Sequence, residues 1–145
     1  MKLWDLLKRD HEEVRNIFSQ LEKAKDRARH EELFGKLKAE LQLHTRVEEK
    51  HFYPALEEHE ETKDMAEEAT EEHGEVKKML THLSSLVPGG DKFLELLKEL
   101  QGNVEHHVKE EETEIFPAAE KAIDKSQLDT IADEVAKEKR AEKAR

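Results

Sequence analysis

Apolar residues recur along this chain at steps of three and four, the period of α-helices that each hide one face. From Leu3 to about Asp26 the stripe runs Leu3, Leu7, Val14, Ile17, Leu21 and Ala24, widened by Trp4, Leu6 and Phe18. A second helix is predicted from His30 or Glu31, with Phe34, Leu37, Leu41, His44, Glu48, Phe52 and Ala55 along one side and a bend expected at Pro54. A third, from about Thr62 to Leu86, turns Met65, Ala69, His73, Val76, Leu80 and Leu83 inward. Val87-Pro88-Gly89-Gly90 is the clearest turn signal, and Asp91 is placed to cap a fourth helix. The stripe of that helix is Leu94, Leu97, Val104, His107, Glu111, Ile115 and Ala118, and Pro117 repeats the late position of Pro54. Ser126 to Asp129 has the form of a capping box and opens a short fifth helix through Leu128, Ile131, Ala132 and Val135 that closes one end. Beyond Lys137 the charged tail is expected to fray. The chain divides on this reading into a helical domain over residues 1–123 and a C-terminal helix and tail over residues 124–145.

The pattern is doubled. His44-Thr-Arg-Val-Glu-Glu-Lys-His-Phe-Tyr-Pro54 returns as His107-Val-Lys-Glu-Glu-Glu-Thr-Glu-Ile-Phe-Pro117, 63 residues on (44 to 107). His11-Glu-Glu-Val aligns with His73-Gly-Glu-Val, 62 residues on (11 to 73). Two helical hairpins therefore read as copies of one unit about an approximate two-fold axis. Positions i and i+4 of a helix lie one above the other, so His44 with Glu48 and His107 with Glu111 each set an imidazole beside a carboxylate.

Composition narrows what such a chain does. Its 145 residues suffice for one domain that buries roughly 70% of its unfolded surface. Charged residues make up 42% of it, rich in Glu and Lys, which suits long helices and not sheets. The net charge of −11 opposes nucleic acid or an anionic membrane as partner. There is no cysteine, hence no disulfide, thiolate ligand or cysteine nucleophile. No apolar run approaches the ~18 residues of a membrane span and no leader is evident, so the expected location is cytoplasmic. No phosphate-binding glycine loop or Ser-His-Asp set is visible, and no catalytic residue is assigned.

One inward histidine is ordinarily a hydrogen-bonded core residue. Six inward groups, His11, His44, Glu48, His73, His107 and Glu111, are another matter. Burying them would cost several kcal/mol per charge unless something neutralised them, and a pair of divalent cations does so while using every group. Nitrogen and carboxylate donors without sulfur suit iron, manganese or zinc. His30, His59, His82 and His106 fall on polar faces or helix ends and read as solvated, as do Glu67-Glu68, Glu71-Glu72, Glu110 and Glu112.

His11, His44-x3-Glu48, His73 and His107-x3-Glu111, with the Glu-Glu and the proline of each copy, resemble the hemerythrin-like, or HHE cation-binding, family over residues 1 to about 120. The resemblance implies an all-α, up-down-up-down four-helix bundle around two non-haem iron ions, oxo- or hydroxo-bridged, with Glu48 and Glu111 bridging and the four histidines terminal. It implies binding of O2 or a related small ligand for sensing, storage or delivery. Decomposition of peroxide in the manner of a catalase, or iron storage and buffering, are the alternatives, and a structural bundle holding zinc or nothing is a third class. A monomer or weak homodimer is expected.

The sequence departs from oxygen carriers of that family, which have a fifth histidine one turn after the third-helix ligand, where this chain has Lys77. One metal position then keeps a water or recruits another group. His51 and Glu114, each seven residues after its clamp histidine and on the same face, are the natural recruits, with Tyr53 a further oxygen donor. The bland alternative for His51 and Glu114 is a supporting place behind the ligands or at the bundle mouth.

Overall fold

The computed structural model describes residues 2–144, and every regular element among them is helical. In chain order these are α1 (Leu3–Lys23), α2 (Arg27–Val47), a π turn (Glu48–Phe52), α3 (Tyr53–Glu57), α4 (Glu60–Ser84), α5 (Asp91–Glu110), a second π turn (Glu111–Ile115), α6 (Phe116–Ala122) and α7 (Lys125–Lys143). Through the π turns, α2 continues into α3 and α5 into α6. Four rods therefore form an up-down-up-down bundle, and α7 lies across α1 and α2.

Local chemistry fixes the ends. Asp26 caps α2 by accepting from the Arg29 backbone N–H at 2.8 Å, so that helix starts earlier than its apolar stripe suggests. Gly90 takes the cap position of α5, and Asp91 instead stands in its first turn, where its charge complements the helix dipole. The capping box at Ser126 is not used, because α7 has already begun at Lys125 after Asp124. Gly89 has φ of 82°, and a Cβ there would come within 2.9 Å of His30 Nδ1. That close approach corrects the reading of His30 as solvated. Its ring is 6% exposed, donates from Nδ1 to the Asp26 carbonyl at 2.9 Å and meets Phe93 edge-on. Leu94, counted in the inward stripe, is instead 41% exposed.

The core is two apolar clusters with a polar layer between them. Leu3, Leu7, Val47, Phe52, Leu56, Ala69, Ile115 and Phe116 belong to the cluster that α7 covers. Val14, Phe18, Leu37, Leu41, Val76, Leu80, Phe93 and Leu100 form the other. Each buried Leu, Val, Ile or Phe among them contributes roughly 1.5–3 kcal/mol relative to exposure. His11 lies between Leu7 and Val14, and His73 between Ala69 and Val76, so each helix changes cluster at its histidine.

The tail does not fray at Lys137. α7 continues to Lys143 because its polar side chains find partners on α1, α2 and the first π turn. Lys139 donates to Asp10, Lys143 pairs with Glu13 at 3.8 Å, and Glu138 collects His51 Nε2 at 2.7 Å, Arg46 Nε at 3.2 Å and Lys50 Nζ at 3.3 Å. Led by the His51 bond, and against the cost of burial, these groups hold the Glu138 carboxyl down at about 2. A carboxyl depressed on folding stabilises above its unfolded pKa of ~4.3 and loses that contribution as pH falls through the folded value. Docking of α7 is therefore expected to weaken from about pH 4 toward pH 2. Amide hydrogen exchange in α7 should quicken over that window, and Glu138→Gln should weaken the dependence while quickening exchange at neutral pH.

Candidate metal centre

The four rods bring all six predicted residues together in the polar layer. His11, His44, Glu48 and Glu111 present one ligand atom each within 4.8 Å of one another, and Glu48, His73 and His107 do the same. Glu48 belongs to both groups. Its Oε1 lies 3.1 Å from His44 Nε2 and 3.2 Å from His73 Nε2. Glu111 reaches both sides as well, with Oε1 at 3.1 Å from His11 Nε2 and Oε2 at 3.4 Å from His107 Nε2. Two pairs of imidazoles thus flank two carboxylates that are 0% exposed.

Each ring is aimed from behind by a carboxylate. His11 Nδ1–H donates to Glu112 at 2.6 Å, His44 to Asp10 at 2.9 Å, His73 to Glu49 at 2.9 Å and His107 to Glu72 at 2.6 Å. This fixes the tautomer and leaves every Nε2 facing the interior. The four supports obey the pseudo-two-fold. Asp10 and Glu72, one residue before His11 and His73, hold the clamp histidine of their own hairpin. Glu49 and Glu112, one residue after Glu48 and Glu111, hold the first histidine of the opposite hairpin. Sequence reading missed all four and assigned Glu72 and Glu112 to solvated faces, whereas they are 23% and 25% exposed against their rings. The doubled Glu-Glu of the two clamps was the available signal.

Electrostatics show what the cluster lacks. Burial alone would lower His44, His73 and His107 and raise Glu111. Instead the hydrogen bonds from His107, His11 and His44 hold Glu111 well below the usual carboxylate range. Against burial, Glu111 and Glu72 raise His107 to about 10, Glu48 and Asp10 raise His44, and Glu48 and Glu49 raise His73. Even so His44 Nε2 and Glu48 Oε2 are buried with no hydrogen-bond partner, and His73 Nε2 and His107 Nε2 face each other at 3.2 Å. Unpaired nitrogen and oxygen lone pairs converging in a dry layer fit cations, which would displace the protons that the imidazoles otherwise keep.

The π turns decide the remaining candidates. Each begins at the clamp glutamate and closes just before the proline, with Tyr53 N–H bonded to the Glu48 carbonyl and Phe116 N–H to the Glu111 carbonyl. Widening the turn makes room where a proline ring would strike the carbonyl four residues back. It also retards the helix by one residue, or about 100° of rotation. On an unbroken α-helix His51 and Glu114 would share the face of His44 and His107. After the π turn His51 swings to Glu138 at the mouth under α7, and Glu114 is exposed. The same rotation buries Ala119 in place of Ala118 and carries Tyr53 inward, to 2% exposed. Its hydroxyl donates to Glu111 Oε2 at 2.7 Å and stands 3.2 Å from His73 Nε2. Burial, then the charges of Glu111 and Glu48, push the Tyr53 phenol well above its ordinary range. Phe116 takes the equivalent place in the other half, stacked 6.3 Å from His11. Lys77 points outward and reaches Glu49 at 3.4 Å.

A known structure shares this fold. In the solved structure of a Hemerythrin HHE cation binding domain-containing protein from Mycobacterium kansasii the fold is the same, with a TM-score of 0.85 over 99% of this chain and 88% of that one at 23% identity. An uncharacterized hemerythrin-like protein of Schizosaccharomyces pombe is 30% identical over 124 residues, 84% of this chain. A protein named DNA nickase from Nostoc sp. is 27% identical over 134 residues, 92% of this chain. The chain spans 61% of the length of the former and 38% of the latter. Among the described residues no helix is long and apolar enough to cross a membrane. Residues 2–119 match the Hemerythrin HHE cation binding domain, and with that match the chain belongs to the hemerythrin HHE cation-binding family.

Proposed function

We propose that this chain is a non-haem di-iron protein that binds O2 or a related small ligand for sensing, storage or delivery. In this reading His11 and His44 hold one ion, His73 and His107 the other, and Glu48 and Glu111 bridge them. The observation that carries it is the pair of donor groups sharing Glu48, whose buried Oε2 has no hydrogen-bond partner. When bound, two irons supply the one-electron steps that O2 binding needs. The chain's own residues do the rest. Asp10, Glu49, Glu72 and Glu112 keep the four rings aimed, the two apolar clusters keep water from the layer, and the Tyr53 hydroxyl offers a proton beside Glu111 and His73. Neither a nucleic acid nor a membrane surface enters this reading, since the net charge is −11. Iron-replete expression should give about two irons per chain and near-ultraviolet absorption that rises on air exposure. Less than about one iron per chain, with no such absorption, would refute it.

A second reading, disproportionation of hydrogen peroxide to water and O2, is favoured by one observation. With Lys77 turned out to Glu49, neither half has a third imidazole. Added peroxide separates the two readings: O2 evolution lost in His44→Ala supports the enzyme, and a colour change without turnover supports the binder.

A further inference from the structure

The pseudo-two-fold is broken at one pair of supporting carboxylates. Asp10, behind His44, is 2% exposed, and its second oxygen accepts from Lys139 of α7. Its counterpart Glu72, behind His107, is 23% exposed and opens on a hollow of about 200 Å3 that Glu68, Glu110 and Glu114 also line. The ion pairs of Glu72 are to His107 and, at 3.8 Å, to His106. The cause is α7, which covers only the first hairpin. Leu6, Leu43 and Val47 beneath it are buried, and the equivalent residues of the second hairpin are Glu68, His106 and Glu110. Lys139 also lies beyond the residues matched to the family, which end at 119.

A carboxylate that accepts an imidazole N–H pushes electron density to the opposite nitrogen and makes it a better metal donor. An ammonium on the same carboxylate withdraws part of that density and adds a positive charge nearby. His44 is so treated, whereas the support of His107 meets no ammonium among the described residues and has the exposed His106 imidazole at 3.8 Å instead. We propose that Lys139 is a positioning residue which, through Asp10, makes the two cation positions unequal, the one bounded by His11 and His44 holding its ion less tightly than the one bounded by His73 and His107. The inference rests on reading the polar layer as a two-ion centre.

Titration of the metal-free full chain with cobalt(II), followed by visible absorption and by the contact-shifted Nδ1–H proton resonances, tests it. The native chain should bind in two resolved steps. Lys139→Met should tighten the weaker step by about tenfold, leave the stronger one and move one of the four ring resonances, and Lys139→Arg should restore the native pattern. Lys143→Met, which removes a cation of the same helix that faces Glu13 and Glu40 and leaves the Lys139–Asp10 pair, should leave both steps alone. Unchanged steps in Lys139→Met, or equal weakening of both, would overturn the proposal and reduce Lys139 to a support of the helix. Should that variant fail to fold, Lys139→Gln removes the same charge while keeping a donor, and the same outcomes decide. Uptake of fewer than two cobalt ions by the native chain would strike the reading of the centre itself and the proposal with it, whereas two steps that ignore Lys139 would strike the proposal alone.

Discussion

Glu111→Gln is expected to cut the iron content from about two per chain to about one or less, the largest functional effect of any single substitution in this molecule. Glu111 meets imidazoles from three rods, His11, His44 and His107, and also accepts from Tyr53. The amide keeps the size of the side chain but loses the charge and half of the acceptor capacity, so Glu48 is left as the one carboxylate shared between the two pairs of rings. Elemental analysis reads the loss directly. A thermal scan with and without chelator reads it through linkage, because a metal at about a hundred times its Kd stabilises by about 2.7 kcal/mol. That chelator-sensitive increment should vanish in the variant. An unchanged metal count would mean that Glu111 is not shared between two ions.

The largest effect on stability is expected from Phe52→Ala. Phe52 is 0% exposed and is the hub of an aromatic group, with Trp4 edge-on at 5.5 Å, Tyr53 at 5.6 Å and Phe116 at 6.1 Å. Truncation removes the ring and leaves a cavity that helices pinned on both sides by α7 and α4 cannot close, at a cost of about 3–5 kcal/mol. Denaturant unfolding should show a lower midpoint with an unchanged slope. The loss reaches the polar layer too, since Phe52 packs beside Tyr53. A cost below about 1 kcal/mol would show that the cluster repacks.

The six inward residues were legible because helical spacing alone places them. His44 and Glu48 stand one turn apart, and the second copy repeats them in register. What escaped depends on contacts between rods. Asp10, Glu49, Glu72 and Glu112 look like ordinary helix-surface acids until the neighbouring helix supplies an imidazole. The end of α7 reads as a fraying charged tail until His51, Asp10 and Glu13 are seen to face it. His30 is buried by a glycine turn far along the chain. The shared face expected of His51 and Glu114 with the clamp histidines is lost for a different reason, because a fixed 100° per residue does not hold through a stretch whose backbone is wound more slowly, and only the two prolines hint at it.

Trp4 is the chain's single tryptophan. It stacks on Phe116 at 4.5 Å, is tethered through its indole N–H to Glu120 at 2.8 Å, and is separated from His11 by the Phe116 ring. The molecule consequently carries its own optical probe on one side of the polar layer. Its indole fluorescence comes from one emitter in one environment, and a coloured ion seated in the polar layer will quench it by energy transfer, so loading of the layer can be followed in real time without an attached dye.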